Sequence, residues 1–523
     1  MNPLVGCLVA DDEMTGDSGN AESGSADSSA GPTTTVATDS TTESADGSSG
    51  SDGSSDSSGT ADSTGEGPPT MCDPGCADDQ LCYAGACTPI GFSVAYGGGT
   101  SRQTFWDIAI GPDQNLVAVG NFDEIMQLDA IELQGEGGGL EALVTKLDPT
   151  GAPIWAHVYV NEGFAHEIAR SVAIDQDGNI FVVGELQETV DFGTGPLESA
   201  GDTDVFVLKL DPEGNTLWAQ SYGDGDGQHV TAVTTLPDGS VVFTGDFFGT
   251  LDLGGDPLVA VGDATDIYVA ALDADGAHRW SLSAGDEEYQ YAHAITANGG
   301  EIMVCGEFRG ELDLGGGPLT ANLSDLFLAK LDALGAHSWS ISNFDDGDDA
   351  CHAVAMDGGG NVAITGRFVS GLDYGGGEGL PDDSFDSFKY ASVFDGDGNH
   401  VWSTDFGEGT WAEMGNFTDE IAFDSAGNIV LAGTLTATAN FGGEVLPSEN
   451  VPSIYLAKLD GGGAHQWSTT WPSDNLSQVI YGLAIDELGD IVVSGEFSGD
   501  LDLGFGAMSS PTDPDALIAR FLP

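Results

Sequence analysis

The chain has 523 residues, of which 86 are Asp or Glu and only 11 are Lys or Arg, so its formal net charge is −75. This balance excludes nucleic-acid binding through phosphate contacts, which needs clustered basic side chains. It also excludes attachment to anionic lipid through a polybasic patch. No run of about 18 apolar residues predicts a transmembrane helix. Glycine, with 78 residues, is about twice as frequent as usual, which indicates many turns between short strands.

The first 70 residues predict an anchored tether. Residues 1–7 end in Leu-Val-Gly-Cys, which resembles a bacterial lipobox with Cys7 as the lipidated cysteine. The residues before Cys7 are too few for a signal peptide, so we expect the signal to begin upstream; a chance match is the alternative. Residues 8–70 are rich in Ser, Gly, Asp and Thr and contain no aromatic residue. This composition predicts a disordered acidic linker.

The cysteines form one cluster and one isolated pair. Residues 71–89 contain four of them, Cys72, Cys76, Cys82 and Cys87. Paired Cys-x2-Cys knuckles of a zinc ribbon are absent, and export favours disulfides. We therefore predict a small disulfide-bonded segment of unknown connectivity, with a zinc site as the alternative. Cys305 and Cys351 stand alone in separate repeats and are predicted to be buried thiols.

Residues 90–523 are periodic. Two apolar strands joined by a polar turn occur seven times, and the copies end at Gly120, Gly184, Gly245, Gly306, Gly366, Gly433 and Gly495. A second strand pair follows each copy, and its last strand opens with tryptophan in six of them, at Trp155, Trp218, Trp280, Trp339, Trp402 and Trp467. Each repeat therefore predicts four strands.

The two ends of the periodic region complement each other. The seventh repeat stops before its fourth strand, and Phe92-Ser-Val-Ala-Tyr96 has the pattern of that missing strand. A β-propeller closes its ring in this way, and closure leaves no open sheet edge. We therefore predict an all-β, seven-bladed β-propeller over residues 90–523, closed by an N-terminal strand.

The repeat also carries a family resemblance. Its Asp-x-x-Gly-Asn-Ile-x-Val-x-Gly hairpin, followed by Asp-x-Phe-Val-x-Lys-Leu-Asp-x-x-Gly, resembles the SBBP-type β-propeller repeat of bacterial extracytoplasmic proteins. Functions in that family are varied, so the resemblance implies fold and location rather than chemistry. The Leu-Asp-x-x-Gly-x3-Trp half resembles the tryptophan-docking repeat of pyrroloquinoline-quinone-type propellers, which usually have eight blades.

Residues that recur once per repeat are predicted to be structural. The turn glycines should adopt the left-handed conformation, the tryptophans should pack between blades, and some of the recurring cations should pair with acids. The turn glycines are Gly178, Gly239, Gly300, Gly360, Gly427 and Gly489, and the cations are Lys146, Lys209, Lys330, Lys458 and Arg520. The histidines two residues before the tryptophans are interpreted as scaffold: His278, His337, His400 and His465.

A less regular set marks the candidate site. His229, His293 and His352 precede the first strands of three consecutive blades, close to irregular acidic loops. Function concentrates in such loops, so we select these histidines, with Asp345, Asp346 and Asp348, as candidates at the mouth of the channel. Two interpretations stay open: a site for a polar ligand or a cation such as Ca²⁺, or a solvated acidic rim. No copy of the turn supplies a complete calcium loop.

The motifs favour binding over chemistry. No nucleophile elbow, zinc-protease motif, phosphate loop or dinucleotide fingerprint is present, so we assign no catalytic residue and no cofactor. The leading hypothesis is a monomeric, lipid-anchored binding module of the cell envelope, for a protein or polysaccharide. The alternative is an extracytoplasmic hydrolase, lyase or quinone-type dehydrogenase. Titratable groups with shifted pKa values that converge in a funnel would favour the enzyme hypothesis. Acidic residues scattered around the rim would favour the binding-module hypothesis.

Overall fold

The structure is a computed structural model that describes residues 80–83, 86–89, 91–98, 102–135, 138–161, 165–343, 347–374, 380, 387–409, 419–447, 452–472 and 478–522. These residues form strands, turns and loops without an α-helix, so none of them belongs to a helix that could cross a membrane. The predicted lipobox, the linker, Cys72 and Cys76 lie outside the described residues. Cys82 and Cys87 face each other across a two-stranded ladder, and the disulfides of the four-cysteine cluster stay a prediction.

Seven four-stranded antiparallel sheets form the blades, and in blades 1 to 4 a separate two-stranded hairpin lies between the second and third strands of the sheet. The described part of the chain begins with β1 (Gln80–Tyr83), β2 (Ala86–Pro89) and β3 (Phe92–Tyr96). Blade 1 contains β4 (Gln103–Ile110), β5 (Leu116–Phe122), β6 (Ile125–Leu128), β7 (Ile131–Gln134), β8 (Glu141–Leu147) and β9 (Pro153–Tyr159). Blade 2 contains β10 (Ile168–Ile174), β11 (Ile180–Leu186), β12 (Thr189–Asp191), β13 (Pro196–Glu198), β14 (Asp204–Leu210) and β15 (Thr216–Tyr222). Blade 3 contains β16 (Ala232–Thr235), β17 (Val241–Phe247), β18 (Thr250–Leu251), β19 (Leu258–Val259), β20 (Asp266–Leu272) and β21 (His278–Ala284).

The remaining blades repeat this plan. Blade 4 contains β22 (Gln290–Asn298), β23 (Glu301–Phe308), β24 (Glu311–Leu312), β25 (Leu319–Thr320), β26 (Asp325–Asp332) and β27 (His337–Ser342). Blade 5 contains β28 (Ala350–Met356), β29 (Val362–Val369), β30 (Ser387–Phe394) and β31 (His400–Gly409). Blade 6 contains β32 (Glu420–Phe423), β33 (Ile429–Leu435), β34 (Ser453–Leu459) and β35 (His465–Trp471). Blade 7 contains β36 (Gln478–Ile485), β37 (Ile491–Leu501) and β38 (Met508–Phe521), with β3 as its fourth strand.

The core lies between neighbouring blades. The second and third strands of each blade are almost wholly buried, because apolar side chains on both faces of the sheet meet an adjacent blade. Seven apolar clusters result, one at each blade interface. The first strand of every blade, β4, β10, β16, β22, β28, β32 or β36, contacts its counterparts in the adjacent blades. These seven strands enclose the central channel.

The predicted ring closure is confirmed. Strand β3 pairs antiparallel with β38, in a register that runs from Phe92 opposite Arg520 to Tyr96 opposite Ala516. Tyr96 is fully buried, and its hydroxyl donates a hydrogen bond to the carbonyl of Gly151 in blade 1. The strand therefore completes blade 7 and also ties it to blade 1.

The recurring turn residues have the predicted structural roles. All six turn glycines have φ between 78° and 94°, a region in which a side chain would be strained. Three of the recurring lysines form ion pairs: Lys146 with Asp113 at 2.7 Å, Lys330 with Glu301 at 2.8 Å, and Lys458 with Asp424 at 2.9 Å. Arg520, fully buried, binds Asp486 and Asp490. The prediction that some of the repeat cations pair with acids is confirmed, although the acids lie in or beside the turns of the first hairpins and do not recur at one position.

The recurring tryptophans lie between blades, as predicted. The indole N–H of Trp218 donates to Ala274 of the next blade at 3.1 Å, and Trp280 donates to Ala333 at 3.0 Å. The histidines two residues before them are also scaffold, because each ring contacts a serine of its own strand; for His278 the distance from Nε2 to Ser281 Oγ is 3.1 Å.

One cysteine prediction is wrong. Cys305 and Cys351 are buried, but they form a disulfide with an S–S distance of 2.07 Å and a Cα–Cα distance of 5.8 Å. Cys305 lies on the second strand of blade 4 and Cys351 on the first strand of blade 5, and these two strands are in contact. A comparison of repeats identifies only equivalent positions. Cys305 and Cys351 are not at equivalent positions, and they meet only because adjacent blades pack together.

The closure predicts a large effect from a small deletion. Removing residues 90–98 eliminates β3 and should lower the free energy of unfolding by at least the ~3–5 kcal/mol typical of losing one buried aromatic side chain such as Tyr96. It also exposes the edge of β38, which promotes aggregation. Urea unfolding measures the change, and a deletion of residues 10–70 is the control. Equal tolerance of the two deletions would show that β3 is not needed for the ring.

Candidate functional site

The first strands direct unusual side chains into the channel. In five blades this strand has a one-residue shift of register against the second strand, at the same place in the repeat. A β-bulge of this kind leaves one residue unpaired and changes the direction of its side chain. The shifted residues are Trp106, Arg170, His293, His352 and Tyr481, and all of them line a channel cavity of about 370 Å³. They lie near the start of each first strand, at the end of the channel that we call the mouth.

One half of the mouth is aromatic. The rings of Trp106 and Tyr481, from blades 1 and 7, have centroids 4.5 Å apart at an interplanar angle of 51°. The guanidinium of Arg170 lies 5.0 Å from the centroid of the Trp106 ring, a distance that allows cation–π attraction. The indole N–H of Trp106 donates to Asn121 on the adjacent strand, which fixes the ring.

The other half of the mouth is built from imidazoles. His293 and His352 come from adjacent blades, and their ring centroids are 5.9 Å apart in an edge-to-face arrangement. Glu307 lies behind them and pairs with Arg367 at 2.8 Å and with His293 at 3.6 Å. Burial, with the positive charges of His293 and Arg367, lowers the pKa of His352 well below its ordinary value, so this imidazole is neutral.

Three glutamates on the second strands hold the arginines. Glu496 accepts two hydrogen bonds from Arg102, at 2.9 and 3.0 Å, while Glu185 pairs with Arg170 at 3.2 Å and Glu307 with Arg367. These six residues and the five shifted ones, with Arg170 in both sets, make ten residues that are called the mouth cluster below. Burial alone would raise the pKa of Glu185, but Arg170 and His229 outweigh it and hold the pKa at about 2. His293 and Arg367 likewise hold the pKa of Glu307 at about 2 against the effect of burial.

Other carboxyl groups at the channel resist ionisation. Burial raises the pKa of Asp107 to about 6, although its carboxylate accepts hydrogen bonds from Ser171 and from the backbone of Val172. Burial also raises the pKa of Asp246 to about 6. The pKa of Glu420 is raised well above its ordinary value by burial and then by the negative charges of Asp107 and Asp419.

The structure brings together two of the three predicted histidines. His293 and His352 are neighbours in the channel wall, whereas His229 lies one blade away with Nδ1 3.4 Å from Glu185. The bond to Glu185 raises the pKa of His229. Asp348 lies beside Ser324 in an isolated bridge, and Asp345 and Asp346 lie outside the described residues. In the described part of the chain no group of three or more His, Cys, Asp or Glu could hold a metal ion, so the calcium site stays a prediction for the remaining acids.

Aspartates of the acidic loops accept hydrogen bonds that hold the loops in place. Asp224 accepts hydrogen bonds from Gln228 and from the backbone N–H groups of Asp226 and Thr250. Asp286 makes the same contacts one blade further on, and Asp349 binds the backbone of Val369 at 2.8 Å. Because these carboxylates are occupied by their own loops, the convergent side chains of the mouth come from strands.

Sequence reasoning missed most of the mouth cluster. Trp106, Arg170 and Tyr481 were not selected, although they occupy the same repeat position as His293 and His352. The available signal was variation: many strand positions repeat a similar residue type, whereas this one changes from Trp to Arg, His or Tyr. The glutamates occur one residue after the glycine that ends the first hairpin, where Glu185, Glu307 and Glu496 replace polar residues of other blades.

Comparisons with known proteins support the fold and leave the family open. No family model matches the chain. Regulatory protein FlaEY of Caulobacter vibrioides is 27% identical over 159 residues, which are 29% of this chain and 16% of that protein. An uncharacterized WD repeat-containing protein of Acanthamoeba polyphaga mimivirus is 30% identical over 157 residues, 27% of this chain and 11% of that protein. The chain thus spans less than a fifth of the length of either curated relative.

Solved structures with a similar architecture include several propellers. Sqt1 from Chaetomium thermophilum is 11% identical with a TM-score of 0.40, covering 83% of this chain and 99% of that one. The WD40 β-propeller domain of Doa1 is 14% identical with a TM-score of 0.38, covering 82% and 95%. An α-L-arabinanase of Penicillium chrysogenum is 10% identical with a TM-score of 0.38, covering 67% and 92%. At this level of similarity they carry no argument about function.

The shifted pKa of Asp246 predicts a pH-dependent stabilisation by Asp246→Asn. The folded carboxyl has a pKa of about 6 against an ordinary value of 3.8, so its favourable contribution is complete below pH 3.8 and is lost as the pH rises through 6. At pH 8 the wild type therefore contains a buried, ionised carboxylate near Glu185, His229 and His293. Asparagine removes this cost, which corresponds to at most about 3 kcal/mol for two pKa units.

Urea unfolding at pH 8, 6 and 5 measures this effect. The gain in stability should be largest at pH 8 and should decline by pH 5, and Asp275→Asn, which changes an exposed turn residue, should show none. A gain that is independent of pH, or that also occurs in Asp275→Asn, would contradict the assigned cause.

Proposed function

We propose that the protein is an extracytoplasmic binding module, anchored to the cell envelope through Cys7, whose propeller presents the mouth cluster to a ligand. The observation that carries the proposal is the set of five β-bulges at one repeat position, each of which directs a large polar or aromatic side chain into the same cavity. If these positions served only stability, we would expect the same residue type there in every blade. Bulges next to functional sites are a recurrent device.

Two further observations support location and rigidity. The disulfide between Cys305 and Cys351 fits an oxidising compartment, since such bonds are rare in the cytosol, and it agrees with the lipobox-like sequence around Cys7. Ring closure by β3 and the ion pairs of the mouth cluster hold the binding side chains in place. A preorganised site loses little conformational entropy when a ligand binds.

An enzyme is the second candidate, and one observation favours it. The mouth contains converging titratable groups with shifted pKa values, and Glu420 faces the cavity without a hydrogen bond or ion pair to any residue that the structure describes. A carboxyl group whose pKa is raised in this way keeps its proton to a higher pH than an ordinary carboxyl group, which suits a general acid. Other acids there are occupied: Glu185 and Glu307, whose pKa values are lowered, bind arginines, and Asp107 binds Ser171 and backbone. Because these carboxylates already have partners, the site favours ligand binding over catalysis.

Capture of envelope material tests the module. Full-length protein is immobilised and incubated with a bacterial envelope fraction, and Tyr481→Ala should lower the retained material about tenfold, as expected for one lost aromatic contact. Tyr374→Ala is the matched control, because it removes a half-buried ring of blade 5 that lies outside the cavity. Equal capture by both variants would overturn the proposal. Release of soluble product that is lost in Glu420→Gln would instead identify the enzyme.

Fractionation tests the anchor. Expressed from its own genomic locus, the wild-type protein should sediment with membranes, and Cys7→Ser should be released into the soluble fraction. Ser18→Ala, a neighbouring change in the predicted linker, should still sediment. A soluble wild type, or a membrane-bound Cys7→Ser variant, would show that Cys7 is not a lipid anchor.

A further inference from the structure

A row of aromatic rings leads from the outer surface to the mouth. Tyr289 lies just before β22, Tyr291 and His293 lie near the start of that strand, and their rings stack in this order. The centroids of the tyrosine rings are 6.3 Å apart with an interplanar angle of 7°, and those of Tyr291 and His293 are 6.4 Å apart at 16°. Tyr289, at the outer end, is 44% exposed. The row ends edge-to-face against His352, so three near-parallel rings connect the rim to the cavity.

Across the cavity, Trp106 and Tyr481 provide a second aromatic surface. Such rings combine a large apolar face with a polar edge, and this combination matches a sugar ring, which has C–H groups on its faces and hydroxyls around its edge. Ordinary apolar ligands would instead leave the polar groups of the mouth without partners, which is unfavourable.

The charged groups of the mouth suit hydroxyls. A guanidinium has five N–H donors, and a carboxylate has about four acceptor positions. Arg102 and Arg170 use only some of their donors on their glutamates, and both are partly exposed: Arg102 is 49% exposed and Arg170 is 26% exposed. The neutral imidazole of His352 adds one donor and one acceptor. A hydroxyl accepts from such a guanidinium and can also donate to the imidazole.

The charge balance selects a neutral ligand. The three arginines of the mouth cluster are matched by three glutamates, so the cluster itself is close to neutral. The whole chain has a net charge of −75, and the field of this charge opposes the approach of a polyanion. A cation would meet Arg102, Arg170 and Arg367 at the entrance. These opposed effects leave uncharged, hydroxyl-rich molecules as the favoured class.

We infer that the mouth cluster binds the end of a neutral saccharide chain, whose following sugar units lie along the row formed by Tyr289, Tyr291 and His293. The inference rests on the proposed binding function and names its ligand class. The terminal unit enters the cavity between Trp106 and His352, where Arg102 and Arg170 donate hydrogen bonds to its hydroxyls.

The experiment treats the envelope fraction before capture by immobilised full-length protein. Periodate, which cleaves the vicinal diols of sugars, should lower capture of the treated material about tenfold or more, and exhaustive proteolysis should leave capture unchanged. Soluble neutral oligosaccharides (cellotriose, maltotriose and laminaritriose) are tested as competitors, with trigalacturonate as the anionic counterpart. At least one neutral trisaccharide should compete, and trigalacturonate should not.

A matched pair of variants locates the saccharide. Tyr289→Ala should lower affinity for the competing trisaccharide about tenfold, as measured by calorimetry. Phe505→Ala removes a ring that is equally exposed, at 44%, and lies outside the cavity, so it should have no effect. Because both rings are at the surface, either variant should fold, and thermal unfolding checks this.

The outcomes separate the two proposals. Capture that is abolished by proteolysis and resists periodate identifies a protein ligand; it overturns the saccharide inference and leaves the binding module standing. The inference is also overturned if only trigalacturonate competes or if no trisaccharide competes. It is overturned as well if Tyr289→Ala binds the trisaccharide with the affinity of the wild type. If untreated material is not captured, or is captured equally by Tyr481→Ala, the proposed function itself fails.

Discussion

The antiparallel pairing of β3 with β38 is the contact on which the molecule depends. Each blade buries both of its faces against neighbours, so an open row of seven sheets would leave two apolar faces in water. Closing the row produces the seventh apolar cluster, in which Tyr96 and Phe105 meet Ile518. Closure also creates the channel, because the seven first strands surround a common axis only in a complete ring. Every feature of the mouth therefore follows from a strand contributed by the opposite end of the propeller sequence.

The scarce basic residues divide between two tasks. Those that recur in the repeat, such as Lys146 and Lys330, bind an acid of their own blade and a carbonyl of the next, and so fasten adjacent blades. Three of those that do not recur, Arg102, Arg170 and Arg367, lie at the mouth with glutamates behind them. In a chain with 11 Lys and Arg against 86 Asp and Glu, placing three arginines in one small region produces a local balance of charge that the rest of the surface lacks.

The charge of the mouth cluster and of the buried carboxyl groups determines how ligand binding should depend on pH. Because the pKa values of Glu185 and Glu307 are held at about 2, their pairs with arginine persist through the range in which most proteins work. The carboxyls of Asp107 and Asp246 change charge near pH 6, so the channel becomes less negative as the pH falls. A neutral ligand that binds through hydroxyls depends little on this change, whereas a charged ligand would respond to it strongly.

The sequence by itself determined the blade count, the strand that closes the ring, and the roles of repeated residues such as Gly178, Lys146 and Trp218, because repetition makes a structural requirement visible. Periodicity says nothing of which unlike positions meet, so only the packing of adjacent blades paired Cys305 with Cys351. The same limit hid the mouth cluster, since a β-bulge changes the direction of a side chain without altering the repeat pattern. His293 and His352 were selected from the sequence because they lie next to irregular acidic loops. Trp106, Arg170 and Tyr481 joined them only when seven first strands converged on one axis, since that convergence depends on closure of the whole ring.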